Sequence, residues 1–347
     1  MRLSRRASGT PRGPAGLRGV IPVLQTPFGP DGAVDLMGLD RELEAVINDG
    51  AAGIMVFGYA TEFPYLTDDE RELILARTVS AVRGRVPVIA SVTDMGLDAV
   101  GEKAGLYGRL GADVIMLLPR NAERPTHHGP SEPDGEATDI RANGSTSEAN
   151  PTEVDGMMAG AGPPAAVAGC DPVRYVRAAA EGTGLPLMIQ YAPHVTGLDI
   201  TPEAIASLSP DRLFGVKSEA PAAFNAALIA ASEGRMAVYA GNQGFGMVDA
   251  LDGGVCGVMP GCSRVWAYRA IYDLYAGKGR EAAIEAYGRF LPSLEMLHGR
   301  HELSMEKIEL VRRGIFSTAL CRQPVEGPEP SWMAEHDARL RSFRGSI

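Results

Sequence analysis

The sequence is poor in the features that mark secreted, membrane-spanning or nucleic-acid-binding chains. Four cysteines stand in 347 residues, Cys170, Cys256, Cys262 and Cys321, with no CxxC pair and no zinc-ligand rhythm. That spacing argues against a disulfide framework and reads as free thiols in a reducing cytoplasm. No run reaches the roughly 18 apolar residues that a membrane span needs. Basic residues are in deficit, 33 Lys and Arg against 43 Asp and Glu, for a formal net charge of −10. A polyanion needs a basic face, so nucleic acid and anionic membranes are excluded as expected partners. The opening stretch MRLSRRASGTPRGPAGLRG is basic but lacks the apolar segment of a secretory signal. Its Gly and Pro residues also spoil a transit-peptide helix, so residues 1–18 read as a disordered arm.

What is present is a globular composition, 45% hydrophobic and 22% charged. Short apolar runs begin at Gly19, Gly53, Val86, Ala112, Leu185, Leu213, Met236 and Val255, each apolar on both parities. A parallel strand covered on both faces reads this way. Between them lie helical stretches, one opened by Thr67 with Glu70 three residues on, the signature of a capping box. Leu75, Thr78, Val79 and Val82 then share a face, and Gly84 closes that helix. Other helical units begin at Asp35, Leu97, Pro172, Thr201, Ala222 and Gly246. Eight strands alternating with helices predict an α/β fold, a (β/α)8 TIM barrel over residues 19–262. A doubly wound open sheet is the other fold this alternation admits. A C-terminal helical extension follows at 263–347, with a Pro/Gly-rich break at 324–330.

Residues 121–170 interrupt this rhythm. They are rich in Gly, Pro, Ser, Asp and Glu and read as a disordered insertion after the fourth strand, where a lid is the functional alternative. His127–His128 and the Asn143 acceptor sequence within it are not expected to bind metal or carry sugar. No strand end gathers the His and carboxylate ligands of a metal centre, so the site is expected to hold neither metal nor cofactor.

Lys217, in LFGVKSEA at the end of a buried run, is the residue that points to chemistry. Desolvating an ammonium is costly, and a desolvated amine is freed for nucleophilic attack on a carbonyl. A lysine snorkelling from the barrel rim would look the same in sequence. Glu219, two residues on, faces the same way, to pair with the amine or bind substrate, with a rim carboxylate as the other reading. Gly241 opens a Gly-rich loop, GNQGFG, after the seventh strand, which reads as a tight turn without a ligand beside the alternative of a phosphate-holding loop. Glu309 and Arg313, four apart, read as an ordinary surface pair.

The order GVIPVLQTPF, GYATEFPYLTDDER, VPVIASV, QYAPHVTG, GVKSEA, YAGNQG and GVMPG resembles the dihydrodipicolinate synthase/N-acetylneuraminate lyase family. The resemblance runs from about Gly19 to Gln323, outside the insertion, and MEKIELVRRGIF resembles the family's C-terminal helix. It implies a barrel whose Schiff-base lysine is Lys217, in a homodimer or homotetramer. It also implies a substrate carboxylate held by the loop Gly58-Tyr59-Ala60-Thr61-Glu62, where the family has GTTGE. Both threonines of that loop are replaced, by Tyr59 and Ala60, with Thr61 able to supply a hydroxyl one position on. Thr26 matches a hydroxyl near the lysine, and Tyr239 a position where a backbone carbonyl meets substrate.

Further departures concern the proton-shuttling tyrosine of the family's YNxP motif. Its place falls on Gln190, and Tyr191 stands one residue later, so strand alternation turns it away unless a bulge intervenes. Gln190 or Tyr191 is then expected on the far side of the substrate, with Tyr59 or Glu219 as other proton carriers. The arginine after this motif is replaced by Val195, and LLPRNAERP lacks the tyrosine a neighbouring subunit usually donates. The reading that follows is a cytoplasmic class I lyase acting on a 2-oxo acid. Two alternatives stand beside it. Glu62-Phe63 resembles the GTGEF form of Schiff-base sugar-acid dehydratases, and the missing tyrosine and arginine would suit a catalytically silent binding barrel.

Overall fold

The apolar runs form eight parallel strands: β1 (Gly19–Val20), β2 (Ile54–Val56), β3 (Val88–Ser91), β4 (Val114–Leu117), β5 (Leu187–Tyr191), β6 (Leu213–Ser218), β7 (Ala237–Ala240) and β8 (Gly257–Val258). The computed structural model describes residues 17–93, 97–119, 172–196, 199–208, 212–297 and 301–345. The expected arm up to residue 16, and the insertion with His127, His128, Asn143 and Cys170, lie outside the described residues.

The strands follow one another around a sheet in the order β1-β8-β7-β6-β5-β4-β3-β2. The ring closes just beyond β1, where Val23 bridges Met55 of β2 and Leu24 N donates to Met55 O at 2.9 Å. Closure explains why the runs are apolar on both parities. One parity fills the barrel interior with Ile21, Met55, Ile89, Met116, Met188 and Met259. The other parity, including Ile54, Ile115, Ile189 and Val216, packs against the surrounding helices.

Those helices are α1 (Leu36–Asn48), α2 (Asp68–Val82), α3 (Leu97–Arg109), α4 (Pro172–Gly182), α5 (Pro193–Thr196), α6 (Pro202–Ser207), α7 (Ala222–Ala231) and α8 (Met247–Asp252). Their starts follow local chemistry. Asp35 caps Gly38 N, Thr201 caps Ala204 N, and Thr67 with Glu70 forms the expected capping box. α2 stops one residue earlier than expected, at Arg83, which is itself left-handed at φ 53° ahead of Gly84.

After β8 come α9 (Val265–Lys278), α10 (Arg280–Leu297), α11 (Glu302–Arg312) and α12 (Pro330–Arg344). The non-helical break spans 313–329, wider than the Pro/Gly signal at 324–330. α12 lies on α10, with Phe343 5.1 Å from Phe290 between ring centroids. α11 is largely buried, and there the surface pair expected of Glu309 and Arg313 is not found. Glu309 is buried and takes a bidentate bond from Arg264, whereas Arg313 reaches Asp49 at 2.7 Å. Each side chain met a partner far along the chain, which helical spacing alone does not reveal.

Candidate active site

β6 carries an extra residue. Leu187 pairs with Leu213, but the next residue, Met188, pairs with Gly215, so Phe214 is a bulge. Phe214 fills the barrel interior, and the bulge then resets the alternation so that Lys217 also faces inward. Lys217 stands level with Gln190 on β5 and Tyr239 on β7. Without the bulge the amine would be turned into the helix layer.

The lysine is 7% exposed. Its Nζ lies 3.2 Å from Glu219 Oε1, and the same oxygen accepts from Gln190 Nε2 at 2.7 Å. Gln190, Glu219 and Lys217 therefore form one hydrogen-bonded group at the C-terminal end of the barrel. Gly241 forms its wall: a methyl there would stand 2.6 Å from Glu219 Cγ and 3.2 Å from Lys217 Cε. Tyr239 lies beneath, its ring in the interior cluster and its hydroxyl donating to Leu17 O at 2.8 Å. The rest of the Gly-rich loop is a tight turn, as expected. Tyr268 donates to Gln243 O at 2.7 Å, and Gln243 Oε1 accepts from Gly261 N at 2.9 Å.

The structure does not bring Tyr191 to Lys217. The bulge lies on β6, not β5, so Tyr191 keeps the outward parity. Its ring stacks on Phe224 of α7 at 4.8 Å, and its hydroxyl accepts from Ile200 N at 3.5 Å.

The loop after β2 is a 3-10 turn, Tyr59–Thr61, followed by a second, Phe63–Tyr65. Ala60 packs against the barrel interior, whereas Tyr59 lies against the outer core and Phe63. The Thr61 hydroxyl donates to Leu24 O at 2.8 Å, and Thr26 donates to Thr61 O at 2.6 Å. Both hydroxyl protons are thus committed to holding the loop against the segment that follows β1, a role that spacing could not distinguish from substrate contact. Glu62 is likewise a structural residue. It is fully buried, pairs with Lys307 of α11 and accepts from Gln323 N at 2.6 Å.

The sequence reading missed a group of buried carboxyls at the β8 end of this site. Glu42 on α1 accepts from Gln25 N at 2.8 Å and from Cys262 Sγ at 3.0 Å. Burial holds its carboxyl up at about 8. Burial, with the neighbouring Glu42 and Glu306, likewise pushes the Cys262 thiol up, which makes it a poor nucleophile. Glu306 accepts from Ser263 N at 2.9 Å. Glu302, one turn earlier, is half-buried; burial, then Glu306 and Glu219, raise its carboxyl to about 8. A glutamate at the start of a helix is unremarkable in sequence, so no local signal could have found it. Among the described residues no cluster of three His, Cys, Asp or Glu side chains is arranged to hold a metal ion.

The dihydrodipicolinate synthetase family model matches residues 16–121 and 168–340. The chain belongs to that family. Membership makes it a lyase of the class I, Schiff-base aldolase type. The unmatched stretch between the two segments falls within the expected insertion. A 4-hydroxy-tetrahydrodipicolinate synthase of Xanthomonas campestris pv. campestris is 29% identical over 271 residues, covering 77% of this chain and 76% of the relative. Among solved structures, a dihydrodipicolinate synthase from Rhodopseudomonas palustris superposes with a TM-score of 0.74 at 21% identity, covering 95% of this chain and 99% of that one. The chloride-inhibited dihydrodipicolinate synthase of Acinetobacter baumannii, complexed with pyruvate, gives 0.73 at 20%, covering 94% and 99%. At these identities the two structures speak for the fold. No helix among the described residues is long and apolar enough to cross a membrane.

Proposed function

We propose that Lys217 is the Schiff-base lysine, and that it attacks the ketone of a pyruvate-like 2-oxo acid so that a C–C bond can be made or broken. The observation that carries this reading is the inward-facing lysine. A buried ammonium on a barrel strand, held 3.2 Å from Glu219 and reached by a bulge in β6, is costly to keep without a task. Glu219 receives the ammonium proton, and the neutral amine adds to the carbonyl carbon. The resulting iminium draws electron density from the adjacent carbon and so stabilises the carbanion that forms or breaks the bond. Ala60 and the first turn of the 3-10 segment border the substrate carboxylate, where backbone N–H groups serve in place of the absent threonine hydroxyls. Gln190 orients the far side through its bond to Glu219. Tyr191 has no part, because it faces α7.

The dehydratase reading rested on Glu62 and Phe63, and both are buried, Glu62 against Lys307 of α11 and Phe63 beside Tyr59. Neither offers a side chain to a sugar acid. Assembly as a homodimer or homotetramer in the cytoplasm belongs to the same proposal as the role of Lys217.

Borohydride trapping with pyruvate, read by intact mass and peptide mapping, tests the assignment. A reduced adduct on Lys217 is expected, absent in Lys217→Arg. Folded wild-type protein that yields no adduct with any 2-oxo acid would overturn it.

A further inference from the structure

The helical extension holds a cavity that the barrel chemistry does not use. It lies between α11 and α12 and encloses about 450 Å³. Cavities of roughly 300–1,000 Å³ are the size that takes small ligands. Four arginines line it, Arg312, Arg313, Arg341 and Arg344, together with the carboxylates of Glu309 and Asp337. Lys217, Glu219, Gln190 and Gly241 do not border it. In a chain with a formal net charge of −10, four guanidiniums around one cavity are a local reversal of sign.

Most of the lining charges are already answered. Arg264, 1% exposed, grips Glu309 in a bidentate bond, and Ser263 Oγ donates to the same carboxylate at 3.0 Å. Arg312 donates to Asp337 at 2.8 Å. Arg313 donates to Asp49 at 2.7 Å and to Ser263 O at 2.9 Å. Arg341 and Arg344 differ. Among the described residues neither side chain makes an ion pair or a hydrogen bond, and both are exposed. They stand three apart in the last turn of α12, on one face, beside Leu340. The Arg344 guanidinium lies over the Trp266 ring, 4.4 Å from its centre, which holds the fork without neutralising it. Last-turn arginines ease the helix dipole wherever they point, so the dipole does not account for their sharing a cavity.

We propose that this cavity binds a small phosphate monoester, its phosphoryl group between Arg341 and Arg344 and its organic part against Leu340. A guanidinium presents a planar fork to two oxygens, and a phosphate monoester offers three, so two neighbouring forks can share one group. The phosphoryl group carries a charge of about −1.5 to −2 at neutral pH, which matches two unanswered cations. Arg312 and Arg313, already held by carboxylates, add to the positive field from fixed positions. Glu309 stays turned to Arg264. Both helices end at the cavity, so recognition rests on side chains and not on helix N-termini. The cavity is larger than a bare phosphate needs, and Leu340 gives the remainder an apolar surface.

The test is calorimetric titration of the whole protein with glycerol 2-phosphate at fixed ionic strength, with the thermal midpoint as a second readout. One site per chain is expected, and a midpoint that climbs with ligand concentration. Arg341→Gln is expected to weaken binding about tenfold or more, the loss of a charge-assisted contact. Arg344→Lys keeps the charge but not the planar fork and should weaken it as well. Arg235→Gln removes an exposed charge elsewhere, and Lys217→Arg alters the barrel pocket; both should bind as wild type does. Arg341→Gln should still form the pyruvate adduct on Lys217, so the Schiff-base reading stands or falls separately. Wild type that does not bind the phosphate, or Arg341→Gln that binds it unchanged, overturns the proposal. So does binding lost in folded Lys217→Arg, which would place the anion in the barrel, or succinate bound as tightly as the phosphate.

Discussion

At the scale of single residues, the site depends on a missing methyl group. Gly241 has a negative φ of −89°, and the space beside it leaves no room for a side chain. In Gly241→Ala the new methyl displaces Glu219 from Gln190 and presses on the Lys217 stem. Adduct formation with pyruvate is expected to fall about tenfold or more, because displacements on the order of 1 Å carry penalties of that size or larger. The thermal midpoint, measured alongside, should move by only a few degrees. An unchanged trapping rate would show that the Glu219–Lys217 pair is not the reacting group. Lys217 was legible in the sequence because a lysine in an apolar strand is expensive and so stands out. The Glu42–Cys262 contact was not legible, because its two residues lie 220 positions apart and meet only in the fold.

At the scale of elements, strand count and helix starts were legible because capping and apolar runs are local. The β6 bulge was not. LFGVKSE is apolar on both parities, so no alternation pattern says where the register slips, and the face of Lys217 is decided by that slip. The packing of α1, the β8 end and α11 carries its own pH dependence. Glu42 is fully buried and titrates near 8 in the folded protein, against an ordinary value of 4.5. Below about pH 4.5 both folded and unfolded chains hold this proton, and the group costs nothing. Between about 4.5 and 8 only the unfolded chain releases it, so stability falls as pH rises through this window and then levels off. Glu42→Gln keeps the acceptor for Gln25 N and removes the titration. Its thermal midpoint is expected to decline less than that of wild type between pH 5 and 8, measured by calorimetry. Parallel curves for the two proteins would count against a buried protonated Glu42.

At the scale of the whole molecule, the barrel and its helical extension are joined by charges that sequence spacing cannot pair. Lys307 has no exposure and meets Glu62 in the loop after β2, with the Phe28 ring 4.4 Å away. Arg322 grips Glu70 through two bonds, at 2.6 and 2.8 Å. Reading Glu309 and Arg313 as a helical rung failed for the same reason: the decisive partners, Arg264 and Asp49, belong to other parts of the molecule. Lys307→Met leaves the Glu62 carboxylate buried without a cation and should destabilise the fold by about 3–5 kcal/mol, as for other broken buried pairs. Adding Glu62→Gln should recover much of the loss in chemical denaturation. A double variant no more stable than Lys307→Met would show that the charge is not the cause.

The Glu62–Lys307 pair also sets a timetable. The two residues are 245 positions apart, so on the ribosome the loop of Glu62 is made long before its counter-charge. A nascent chain halted just after β8 carries all eight strands, yet its loop after β2 has neither Lys307 nor Gln323 to hold it. The loop after β2 therefore gains its buried counter-charge only once α11 has been made.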